Sequence, residues 1–132
     1  MYFVDLPGYG YARVPKAMKQ HWGTMIEDYL GDRKQLKLAL MLVDSRMVPT
    51  ESDTMMKEWL DRYRIPNTVV LTKTDKISHN QLNKALRTSA ETLNTKEIIP
   101  FSAVTGSGKD AILTRIRTAV HHIPQQRGGT GQ

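Results

Sequence analysis

The chain has 132 residues, with 19 Lys and Arg against 13 Asp and Glu for a formal charge of +6, four His and no Cys. That length suits one domain, and 39% hydrophobic with 24% charged residues is an ordinary globular composition, which argues against general disorder and against collagen-like or low-complexity chains. The lack of Cys removes disulfides, thiol nucleophiles and cysteine-based zinc sites, and four His alone make a poor case for a metal.

The longest apolar run, Leu38 to Val43, is far short of the ~20 residues that span a bilayer, and Met1 leads into Tyr2-Phe3-Val4-Asp5 with no basic leader or cleavage site. The expectation is a soluble, unsecreted, cytoplasmic protein with no membrane partner; oligomeric state is not legible. Before Asn67 there are 10 basic and 9 acidic residues, and from there on 9 and 4, so the positive excess lies in the second half. Such a bias suits a polyanion such as RNA and serves solubility equally well.

Taken in order, the apolar pattern alternates short strands with amphipathic helices. Tyr2 to Leu6 reads as a strand, followed by a Gly/Tyr-rich loop over Pro7 to Val14 and a helix after Pro15. On that helix Met18, Trp22, Met25, Ile26 and Tyr29 share one face, and Gly31 ends it. Leu38 to Val43 is continuously apolar, as for a parallel strand with helices on both faces, and it runs into Asp44. Thr50-x-x-Asp53 has the spacing of a capping box, opening a helix with Met55, Met56, Trp59, Leu60 and Tyr63 inward that must stop near Ile65-Pro66. Thr68 to Leu71 is the next strand. Ser78-x-x-Gln81 is a second capping box, before a helix with Leu82, Ala85, Leu86 and Leu93 inward. Ile98, Ile99 and Phe101 mark the fourth strand, and a last helix from near Ser107 buries Ile112, Ile116 and Val120 and ends before Pro124. Residues 125–132 read as a disordered tail after a domain over 1–124.

The class expected is α/β, three layers of helix, sheet and helix around a mostly parallel sheet of about four strands, with ligands beyond the strands' carboxyl ends. Those ends are Asp5-Leu6-Pro7-Gly8, Asp44-Ser45-Arg46, Thr72-Lys73-Thr74-Asp75 and Ser102-Ala103-Val104. In the first, a carboxylate is followed three residues on by a glycine whose amide can approach a phosphate closely. In the third, Asp75 can accept parallel hydrogen bonds from the ring N–H and exocyclic amine of guanine, a donor pair that adenine lacks; the wrong base leaves a carboxylate unsatisfied at ~1–3 kcal/mol. Lys73 can lay its aliphatic stem along the purine face, and Ser102-Ala103 can offer an amide to the guanine carbonyl oxygen.

D-x-x-G, T-K-x-D and S-A in this order resemble the translation-factor-like GTPases, and within them the EngB (YihA/YsxC) family of ribosome-biogenesis GTP-binding proteins. The residues that carry the resemblance are Asp5-Leu-Pro-Gly-Tyr-Gly-Tyr-Ala12, Leu42-Val-Asp-Ser-Arg46, the Trp59-Leu60 helix ending in Ile65-Pro66, and Val70-Leu-Thr-Lys-Thr-Asp-Lys76. The resemblance implies a G-domain fold, binding of GTP and GDP with Mg2+, and contact with the large ribosomal subunit or its RNA during subunit assembly, with a link to normal septation. By it, Asp5 would hold the magnesium through water and Gly8 would touch the γ-phosphate. Leu6 and Pro7 belong to the same nucleotide-binding segment. Thr72, Lys73, Thr74, Asp75, Phe101, Ser102 and Ala103 would form the base site.

The 132 residues contain no G-x-x-x-x-G-K-[ST] loop; Gly106-Ser-Gly-Lys109 has Ala103 and Asp110 in the wrong places and reads as a helix start. The switch I segment is also missing, so the chain corresponds to the family from its third strand onward, without the first two strands and first helix, and is expected to be a partial product. Losing about three charge-assisted phosphate contacts at ~2 kcal/mol each weakens nucleotide affinity by roughly 10⁴-fold. The chain alone is therefore expected to be inactive as an enzyme, with no catalytic residue assigned. Two other classes stand beside this one. One is a nucleotide-independent module that binds RNA or the ribosome. The other is a receiver-like domain with Asp44 as phosphoacceptor, a reading that needs a Lys after the last strand, whereas Lys96 precedes it.

Overall fold

The computed structural model describes residues 37–121. The expected strand Tyr2 to Leu6, the helix bearing Met18, Trp22, Met25, Ile26 and Tyr29, and the tail over 125–132 lie outside the described residues. Within them the order is β1 (Ala39–Asp44), α1 (Glu51–Arg62), β2 (Asn67–Thr72), a 3-10 turn (Thr74–Lys76), α2 (His79–Leu93), β3 (Ile98–Pro100) and α3 (Lys109–His121).

The three strands form one parallel sheet in the order β1-β2-β3, with Asp44 opposite Thr72 and Leu71 opposite Pro100. Two successive βαβ units result, so the carboxyl ends of all three strands lie along one edge. Alternate strand residues share a face. Met41 and Val43 of β1 and Val69 and Leu71 of β2 pack with Met56 and Leu60 of α1 and Leu93 of α2, and Leu82, Ala85, Leu86 and Ile98 flank them. Each such side chain, fully buried, contributes about 1.5–3 kcal/mol.

Both expected capping boxes form. The Asp53 N–H donates to Thr50 Oγ1 and the Thr50 N–H donates to Asp53 Oδ2, at 3.1 and 2.8 Å. Ser78 and Gln81 exchange the same pair of bonds at the start of α2. The end of α1 comes earlier than Pro66 requires. The Ile65 N–H donates to the Leu60 carbonyl and the Arg64 N–H to that of Asp61, with Arg64 at φ +56°, a Schellman ending in which arginine occupies the usual glycine position. Ile65 and Leu60, joined by that bond, both enter the core.

Three expectations need correction. The inward stripe of α1 is Asp53, Met56, Lys57 and Leu60, whereas Met55 and Tyr63 are exposed. Met55 sits about 100° around the helix from Met56, and Tyr63 is already the cap residue, its ring tilted against that of Trp59 with centroids 4.5 Å apart. Secondly, the described residues cover β1 closely on one face only. Thr68 and Val70 are buried on the second face of β2, but Leu42, in register with Val70, is 60% exposed. Thirdly, in α3 Ala119 is buried while Ile112, Ile116 and Val120 are only half-buried. That helix starts at Lys109, not Ser107, because Gly106 and Gly108 have φ of +81° and +88°.

Candidate functional site at the carboxyl ends of the strands

The polar residues after β1, β2 and β3 converge because the strands are parallel and in register. Thr72 ties β2 to β1: its hydroxyl donates to the Val43 carbonyl at 3.3 Å and its own carbonyl accepts from the Ser45 N–H at 3.0 Å. Its side chain is thereby committed to the sheet. The following residue, Lys73, takes the left-handed conformation at φ +60°, uncommon for a residue with a side chain, and turns the chain into the 3-10 segment that carries Asp75. The Thr74 N–H donates to the Phe101 carbonyl at 3.3 Å, and the Phe101 N–H to that of Leu71 at 2.8 Å, fixing this loop against the end of β3.

Asp75 and Ser102 meet here. The buried Ser102 hydroxyl donates to Asp75 Oδ1 at 2.8 Å and accepts from the Val104 and Thr105 N–H groups at 3.2 and 3.1 Å. Only 14% of the Asp75 side chain is exposed, and Lys76 Nζ lies 3.8 Å from its other oxygen. A carboxylate has about four acceptor sites, so one bond from Ser102 leaves capacity on both oxygens for a planar donor pair. The exposed Ala103 follows Ser102, and no described group accepts from its amide. Gly108 closes the loop from beneath, since a Cβ there would overlap the Pro100 carbonyl oxygen.

Asp44 and Arg46 form the third part. Arg46 donates its backbone N–H and Nε to Asp44 Oδ1 at 2.9 and 3.0 Å, and Nη2 to Oδ2 at 2.8 Å. The Arg46 hydrogen bonds hold the Asp44 carboxyl down at about 2, against the opposing pull of burial, and the Arg46 guanidinium is in turn raised by Asp44. Lys73 Nζ also lies near Asp44, 3.6 Å from Oδ2.

Thus Thr72, Lys73, Thr74, Asp75, Phe101, Ser102 and Ala103 gather at one edge as expected, while Asp5, Leu6, Pro7 and Gly8 lie outside the described residues. Two partnerships were missed from sequence. Nothing in the local pattern marks the Ser102 hydroxyl as the group that holds Asp75, or Arg46 as the partner of Asp44. The receiver reading finds no support: Asp44 is closed by a chelating arginine, and Lys96, before β3, is at the opposite edge of the parallel sheet.

No protein-family model matches the chain. Curated proteins nonetheless match most of its length. Over 115 residues the chain is 48% identical to a probable GTP-binding protein EngB of Levilactobacillus brevis, a match covering 85% of this chain and 58% of that one. It is 46% identical over 121 residues to the same-named protein of Desulforamulus reducens, covering 89% and 59%. A crystal structure of a probable GTP-binding protein EngB superposes with a TM-score of 0.72 over 88% of this chain and 76% of that one, at 24% identity. The fold is accordingly a part of the P-loop GTPase fold. Over most of its length the chain is homologous to EngB GTP-binding proteins, and it spans about three fifths of the length of the curated relatives it matches.

Proposed function

We propose that this chain carries the guanine-reading half of a GTP-binding protein. Asp75 takes the ring N–H and exocyclic amine of guanine, the Ala103 amide donates to its carbonyl oxygen, and Lys73 flanks the ring plane with its stem. Thr72, Thr74 and Phe101 shape the backbone around the base. The nucleotides are GTP and GDP. Asp5 would hold Mg2+ through water and Gly8 would meet the γ-phosphate, with Leu6 and Pro7 between them. The larger role, following the relatives' family, is in large-subunit assembly of the ribosome in the cytoplasm.

The observation that carries this reading is the Asp75 carboxylate, fixed by Ser102 at 2.8 Å at the shared edge of a parallel sheet with acceptor capacity left over. Ligand-observed NMR detects weak binding, so it suits a chain without a G-x-x-x-x-G-K-[ST] loop in its sequence. GDP should bind more tightly than ADP, and Asp75→Asn should turn the preference toward XDP, because the new amide matches the altered donor and acceptor pattern of xanthine. Equal binding of GDP and ADP, or an unchanged preference in Asp75→Asn, would overturn the reading. Hydrolysis of GTP by the 132-residue chain should not exceed background.

A further inference from the structure

Lys73 lies two residues before Asp75, close enough for its ammonium to pair with the carboxylate that is needed for guanine. It pairs elsewhere. Its Nζ stands 3.6 Å from Asp44 Oδ2, across the β1–β2 boundary, although Arg46 already supplies Asp44 with a balancing cation. The register makes this possible, since Asp44 sits opposite Thr72 and the left-handed turn at Lys73 follows at once. Stability does not explain the arrangement. A lysine whose side chain is 55% exposed gains little from such a pair, and a left-handed backbone at a non-glycine residue opposes it.

We propose that Asp44, held in place by Arg46, is a positioning residue that draws the Lys73 ammonium to the β1 side of the site and so keeps a second lysine, beside Lys76, off the Asp75 carboxylate that takes the base. The inference rests on the guanine reading above for its consequence, but the ion pair itself does not. With Asp44→Asn, Lys73 loses its anchor and its charge turns toward Asp75, where it competes with the donors of guanine.

The test is a double-mutant cycle on the 132-residue chain with Asp44→Asn, Lys73→Met and both together, reading GDP affinity by ligand-observed NMR. Asp44→Asn should weaken GDP roughly fivefold in the parent chain and leave it unchanged in the Lys73→Met background. Equal losses in both backgrounds would overturn the proposal, because Asp44 would then act through Arg46 or the fold. A second measurement needs no nucleotide: lysines carrying 13C-dimethyl groups are observed by NMR, with the Lys73 signal identified by its loss in Lys73→Met. That signal should move in Asp44→Asn, and an unmoved signal would refute the anchor. Failure of the parent chain to bind GDP while the signal moves would reject the guanine reading and leave the ion pair standing.

Discussion

The body of the sheet and its carboxyl edge are built by opposite rules. In the body, β2 buries Thr68 through Leu71 in succession, and the two capping boxes satisfy the helix starts with short, local bonds. At the edge, Lys73, Gly106 and Gly108 take left-handed backbone, Asp44 is gripped by Arg46 two residues on and Asp75 by Ser102 from another segment, and apolar burial is slight. The body gains its stability from packing, whereas the edge spends part of it on holding polar groups in place. Ligand chemistry belongs where acceptors are held but not exhausted.

The comparison breaks most readily at the one place where edge and body touch closely. Gly108→Ala should cost about 3–5 kcal/mol, because the Cβ meets the Pro100 carbonyl and the φ of +88° is strained as well. Urea unfolding measures it, and a loss below about 1 kcal/mol would show that the edge yields independently of the body. Leu71→Ala, in the body, should cost about 3 kcal/mol by leaving a cavity beneath β2, with the GDP-over-ADP preference unchanged in the folded fraction.

Ser102→Ala sharpens the contrast from the other side. It removes the donor to Asp75 and the acceptor for two amides, for a stability loss of about 1–3 kcal/mol. Unlike Leu71→Ala it should also reduce the preference for GDP over ADP. A preference that survives would show that Asp75 needs no hydroxyl to orient it.

The smallest effect is one of pH. The Asp44 carboxyl is depressed from 3.8 to about 2, so the folded chain binds its proton less readily than the unfolded one. The stability from this group is fully present above about pH 4 and is lost as the pH falls through 2. Acid unfolding of Asp44→Asn should lack that component between pH 4 and 2, and identical acid profiles would place the pairing with Arg46 below significance.

Local chemistry made much of the protein legible without coordinates. Thr50 with Asp53 and Ser78 with Gln81 are three residues apart, so each capping box is written within one turn of chain. The apolar runs at Leu38 to Val43 and Thr68 to Leu71 announced strands, and the polar residues directly after them announced the edge that would carry Asp75. What the sequence by itself determined, then, was the elements, their caps and the chemistry at strand ends, because these depend on neighbours within a few positions. Only the tertiary structure decided that Ser102 holds Asp75 from 27 residues away, that Lys73 turns to Asp44, and that Gly108 lies against Pro100. It also decided that Leu42 stays exposed while Val70 beside it is buried. Those outcomes follow from strand register and from which element covers which face, and both are set by contacts between segments that no local pattern encodes.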